Sequence, residues 1–184
     1  MVLTANGLLR AAQEDLAFFS NEQKLIRERW VVDQWLVARG VEADVRPADD
    51  PPDFIVDGAG VEIVELLEPR RKRTDQYRAN LTAAEAGYAI PRRMVSREQV
   101  VTHGHEWLVR AIKRKSAKYA SRPSSTWTLL VYVNVPWADS LQWAEVVAEL
   151  RDLAPPFAAI DALVQVGAAP IAGTVWCSSA QRRK

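Results

Sequence analysis

Two periods organise the apolar and polar positions of this chain. Leu8, Ala12, Leu16 and Phe19 recur at helical spacing and predict a helix over residues 8–19. Ser20-Asn21-Glu22-Gln23 then has the form of a capping box. Leu25, Ile26, Trp30, Val32, Trp35, Leu36 and Val37 trace a broad apolar stripe that predicts a long helix packed on a sheet, with Gly40 as its stop. Period two takes over at Val41 to Arg46, a first strand, and residues 47–52 (PADDPP) break regular structure. Residues 96–120 predict a second long helix, with Ser96 as its cap and Glu98 in its first turn. Residues 126–135 (TWTLLVYVNV) are apolar almost throughout, the mark of a central strand covered on both faces. Residues 140–150 read as an amphipathic helix with Leu141, Ala144, Val147 and Ala148 inward, and residues 162–166 and 174–177 as two closing strands.

The stretch from Pro51 to Pro69 carries the most chemistry. Phe54, Ile55 and Val56 favour a strand, residues 57–60 (DGAG) supply a turn, and Val61 to Leu67 is β-rich again. Alternation sets Glu62, Val64 and Leu66 on one face, so Glu62 interrupts an otherwise apolar row. Asp53 stands where the first strand begins, and a hairpin folds it back beside Glu62. Two carboxylates at one place repel unless a cation, or water and a basic neighbour, stands with them.

Composition narrows the classes. With 184 residues, 48% hydrophobic and 26% charged, the chain suits one domain, residues 1–184. Its core is expected over about 21–178, with an excursion over about 70–95 containing a weak helical fragment near Leu81 to Tyr88. The formal charge of +1 gives no global field for nucleic acid, so such a partner must be met by local patches. One cysteine, Cys177, allows no internal disulfide. There is no apolar run of the roughly 20 residues that span a membrane and no signal-peptide pattern, so a cytoplasmic location is expected.

Pro52-Asp53 followed by Glu62 in an apolar strand resembles the PD-(D/E)XK nuclease superfamily, over roughly Asn21 to Val135. The lysine position, two residues after Glu62, holds Val64. The resemblance implies a restriction-endonuclease-like α/β fold, an αβββαβ core with a central mixed sheet flanked by helices. It implies Asp53 and Glu62 as ligands of Mg²⁺ or Mn²⁺, nucleic acid (DNA foremost) as the partner, and a homodimer as one possible assembly. The alternative is a degenerate nuclease fold that binds nucleic acid or a protein without cutting.

Lys115 is the candidate for the displaced lysine, with Lys118 second. It falls on the face of Ile112 and Tyr119, and Lys115-x-x-x-Tyr119 resembles the Gln-x-x-x-Tyr motif of RecB-like members. A lysine on an apolar face is costly unless it reaches a carboxylate or water, and Glu62 would satisfy it. Equally, Lys113, Lys115 and Lys118 could form one solvated face. Arg70, Arg71, Lys72 and Arg73, with Arg92-Arg93 and residues 110–118, are candidate phosphate contacts, Lys118 and Tyr119 among them. Glu22 and Glu28 read as surface, and Glu65 faces away from Glu62, in need of a partner such as Arg29 or one of Arg70 to Arg73. His103-Gly104-His105 lacks a third metal ligand at a zinc-like spacing. Of seven tryptophans, Trp30 and Trp35 read as core, and Trp137 as an exposed binding residue.

Overall fold

A computed structural model describes residues 5–18, 20–49, 51–88, 95–121, 124–166 and 169–178. The elements run α1 (Ala5–Phe18), α2 (Lys24–Arg39), β1 (Val45–Pro47), β2 (Phe54–Val56), β3 (Ala59–Leu66), α3 (Arg73–Glu85), α4 (Arg97–Tyr119), β4 (Thr128–Val133), α5 (Trp143–Leu153), β5 (Ala159–Val166) and β6 (Ala169–Cys177). The fold is mixed α/β, as expected: a six-stranded sheet in the order β1-β2-β3-β4-β5-β6, flanked by helices. Strands β3, β4 and β5 run parallel, joined through α3 and α4 and then through α5, while β1, β2 and β6 pair antiparallel to their neighbours. Among the described residues no helix is long and apolar enough to cross a membrane.

By its contacts the chain divides into two compact units, Met1–Trp30 with Pro69–Met94, and Val31–Glu68 with Val95–Lys184. In the first, α1 packs on α3, and Arg27 donates to the carbonyls of Phe18 (2.8 Å) and Ser20 (2.5 Å). Burial lowers the Arg27 pKa, opposed by Glu28 and Tyr77. Helix α3 corrects the expectation of a weak fragment near Leu81 to Tyr88: thirteen residues are helical. Its sequence is polar with little stripe, so packing on α1 supplies what periodicity does not announce. The 92–93 arginine pair lies outside the described residues.

The second unit holds the sheet between two apolar layers. Val31, Val32, Trp35 and Leu36 of α2 pack on Phe54, Val61, Ile63, Leu130 and Leu163. On the opposite face Leu108, Ile112 and Tyr119 of α4, with Val146 and Leu150 of α5, cover Val64, Leu66, Leu129, Val131 and Ile160. The α2 stripe is narrower than predicted, because Leu25, Ile26, Trp30 and Val37 are exposed. Trp35 is core as expected, but Trp30 is not. The first strand starts at Val45 rather than Val41.

The hairpin turn is two residues, Asp57-Gly58, both at positive φ (46° and 81°), which suits the twist of paired strands. Strand β3 therefore begins at Ala59 rather than Val61. Helix α4 begins in a full capping box, Ser96 with Gln99. Helix α5 starts at Trp143, after a 3-10 turn over Ala138–Ser140. Its buried residues are thus Val146 and Leu150, and the predicted inward Ala144 and Ala148 are exposed. Strands β5 and β6 are longer than predicted because they pair along their length.

Candidate active site

Strand β3 is paired on both sides, to β2 and to β4, which fixes the direction of each of its side chains. Glu62 therefore points into the α4-facing layer beside Val64 and is only 1% exposed. A carboxylate so far from water needs partners. It finds two, both on Oε1: Lys115 Nζ at 2.5 Å and the Tyr119 hydroxyl at 2.7 Å. Lys115 and Tyr119 are four residues apart on α4, so they meet one acceptor from one helix face. Glu62 Oε2 is buried and has no hydrogen-bond partner.

Tyr119 is held on its other edges by aromatic rings. Trp127 meets it edge-on with centroids 5.8 Å apart, and Phe157 at 6.1 Å. Trp127 in turn lies over Gly60 of β3, where an added Cβ would stand 2.4 Å from its ring. Gly60 is thus required by the close approach of an indole and not by a turn.

Asp53 precedes β2 and is 8% exposed. Continuing the Phe54↔Val61 register by one step sets it across from Glu62. Its Oδ2 accepts from the Ile63 amide at 2.8 Å, which ties it to the strand bearing Glu62.

The structure thus joins Glu62, Lys115 and Tyr119 directly, with Asp53 on the adjoining backbone. Val64, at the lysine position of the resembled motif, is 6% exposed in the apolar layer. Tyr119, expected to contact nucleic acid, has no exposed surface and turns its hydroxyl to Glu62. Lys118 is exposed and sits over the Tyr119 ring, 4.9 Å from its centroid. Lys113 pairs with Glu149 of α5 at 3.5 Å, so it does not share Lys115's environment. Glu65, on the opposite face, accepts from Asn134 Nδ2 at 2.8 Å.

In the other unit Arg70 is exposed at φ 66°, Arg71 donates to Gln76 at 2.6 Å, Lys72 is the exposed N-cap of α3, and Arg73 is its first residue. His103 Nδ1 lies 3.8 Å from Glu106. Among the described residues no three of His, Cys, Asp and Glu gather as a metal site. Trp137 is 45% exposed in a left-handed conformation.

Two buried acids of the described residues went unpredicted, Glu68 (7% exposed) and Asp161. Asp161 of β5, 1% exposed, accepts from Trp35 Nε1 at 2.9 Å and Arg39 Nη1 at 2.5 Å on the α2 side. Its signal was the one that marks Glu62, a lone acid in an apolar strand.

Fold and cluster together define a mixed α/β protein with a buried carboxylate held by an amine and a phenol. The chain belongs to the family described as "Putative endonuclease, protein of unknown function (DUF1780)", which matches residues 5–149. A solved protein of unknown function from Pseudomonas aeruginosa strain PAO1, described as "Monooxygenase Superfamily", shares the fold at a TM-score of 0.51 and 20% identity, over 95% of this chain and 84% of that one. Among curated proteins none matches.

Proposed function

We propose that the protein is a metal-dependent nuclease of PD-(D/E)XK kinship, cleaving phosphodiester bonds of nucleic acid, DNA foremost, at the Glu62 cluster. The observation that carries this reading is the Lys115 amine resting on Glu62 while Val64 occupies the motif's lysine position. The motif's three groups are then Asp53 at the entry to β2, Glu62 of β3 and an amine delivered by α4. Membership in a family whose description reads "Putative endonuclease, protein of unknown function" supports the same class.

The residues fit a divalent cation through Glu62 Oε2, a buried carboxylate oxygen with no hydrogen-bond partner. Asp53 is the second acid available. With no third acid or imidazole gathered there among the described residues, water and phosphate oxygens would complete the shell, as Mg²⁺ prefers. A bound ion supplies an acidified water and neutralises charge on the phosphate. The chain's own groups do the rest. Tyr119 fixes Glu62 Oε1, leaving Oε2 as the free face. Lys115, one-fifth exposed, can exchange Glu62 for a phosphate oxygen or the attacking water.

A second reading, binding without cleavage, draws on the burial of Val64 among apolar side chains. One experiment separates them: DNA and RNA substrates with Mg²⁺ or Mn²⁺, using wild type, Asp53→Asn, Glu62→Gln and Lys115→Ala. Cleavage by wild type, abolished by chelator and by each substitution, supports the nuclease. Gel shifts without cleavage favour the binding protein. Cleavage that persists in all three variants removes the cluster from the reaction.

A further inference from the structure

Gly60, Gly104 and Gly173 sit within strands or a helix, and the first two have internal reasons to be glycine. Gly60 makes room for Trp127, and Gly104 of α4 for Leu141, where a Cβ would lie 2.3 Å from a methyl carbon. The third, Gly173, is within β6, and a Cβ there would meet nothing within 4 Å. Its φ lies outside the left-handed range, so the backbone does not require glycine either. A glycine inside a strand weakens it, and such positions mark places where something else comes close.

Gly173 lies in the floor of a groove of about 450 Å³ between α5 and the β5–β6 pair. That volume is in the range of small-molecule sites, and the lining is mainly apolar with few polar groups, as such sites are. Ala162 and Gly173, paired across β5 and β6, keep part of the floor low and flat, which suits a planar ring better than a branched chain. Trp143 stands in the wall and can stack on such a ring. Asp139 is the lining's single charge. A carboxylate accepts from an exocyclic amine, the pairing by which acids read cytosine.

We propose that this groove binds a planar aromatic ring bearing an amino group, of the size of an adenine or cytosine base. The ring lies over Gly173 against Trp143, and its amine donates to Asp139. This goes beyond the nuclease reading and does not rest on it, since none of the lining residues belongs to the Glu62 cluster.

The test uses adenosine, cytidine and uridine as probes, titrated into the full chain by calorimetry and by amide chemical shifts. The expected result is saturable binding of adenosine or cytidine, with uridine, which has no exocyclic amine, about tenfold weaker. Asp139→Ala, which removes the acceptor, should erase that preference. Gly173→Val is the decisive variant: it fills the groove floor while replacing a poor strand residue by a good one. Its melting temperature should rise while probe binding is lost, a pair of changes that misfolding cannot produce. Glu62→Gln should bind the probes as wild type does, whatever becomes of cleavage. No saturable binding at millimolar probe, or binding that survives Gly173→Val, overturns the proposal.

Discussion

Lys115 of α4 and Glu62 of β3, 53 positions apart in sequence, meet at 2.5 Å in the interior of the unit. Glu62 is enclosed by apolar neighbours, whereas the Lys115 side chain keeps one-fifth of its surface in water. The pair therefore joins a buried charge to the solvent boundary. Lys115→Met would leave the carboxylate with only the Tyr119 hydroxyl, and breaking such a pair costs about 3–5 kcal/mol. Urea denaturation should show that loss, and Glu62→Gln in the same chain should restore part of it. Equal stability of the single and double variants would mean that the pair is not coupled.

Tyr119→Phe separates the hydroxyl from the ring. The ring's contacts with Trp127 and Phe157 remain, and the 2.7 Å bond to Glu62 is lost. A hydrogen bond to a charged group contributes about 1.5–3 kcal/mol. The expected loss lies in that range, with near-UV circular dichroism unchanged because the aromatic packing persists. In a nuclease assay the variant should cleave more slowly, since Glu62 Oε1 is then held by Lys115 alone and the amine is less free to turn to the substrate.

Gly60→Ala tests the next contact outward. Its methyl would stand 2.4 Å from Trp127 Cδ1, so either the indole moves or the strand does. Overpacking of this kind costs about 1–3 kcal/mol. Because Trp127 abuts Tyr119, the shift should reach the cluster and appear in the near-UV aromatic bands. An unchanged near-UV spectrum with wild-type stability would contradict the packing described.

How much of this was readable beforehand depended on whether a residue fell inside a recognisable period. Glu62 was visible because alternation runs unbroken from Val61 to Leu67, so one acid stands out against an apolar row. Lys115 was visible because its spacing to Ile112 and Tyr119 is helical, and α4 is long enough to fix the phase. Asp161 escaped because the strand was read as starting at Ala162, leaving the acid one position outside the pattern that would have flagged it. Strand β6 was half missed for a different reason: residues 169–173 (APIAG) have little β-propensity, and their pairing with β5 makes them strand. The phase of α5 was lost because Ser140 and Leu141, read as its first turn, belong to a 3-10 turn and its exit. Tertiary pairing and short irregular turns leave no period behind, so these parts could only be seen in three dimensions.

Asp161 and Arg39 give the control that the Glu62 experiments need. This carboxylate is as deeply buried as Glu62 but lies on the α2 face of the sheet, bound to Trp35 and Arg39. Arg39 also stacks on Trp35, 5.3 Å from the ring centroid, so the three side chains fasten the end of α2 to β5. Arg39→Met removes the cation and leaves Asp161 with the indole alone, at a cost of about 3–5 kcal/mol by the reasoning used for Lys115. Asp161→Asn should cost less, because the amide oxygen can still accept from Trp35. Neither residue touches the Glu62 cluster, so any cleavage measured per folded molecule should be unchanged in both variants. In Lys115→Met, by contrast, stability and cleavage should fall together. If Arg39→Met abolished cleavage while remaining folded, the reactive centre would have to be sought on the α2 face instead.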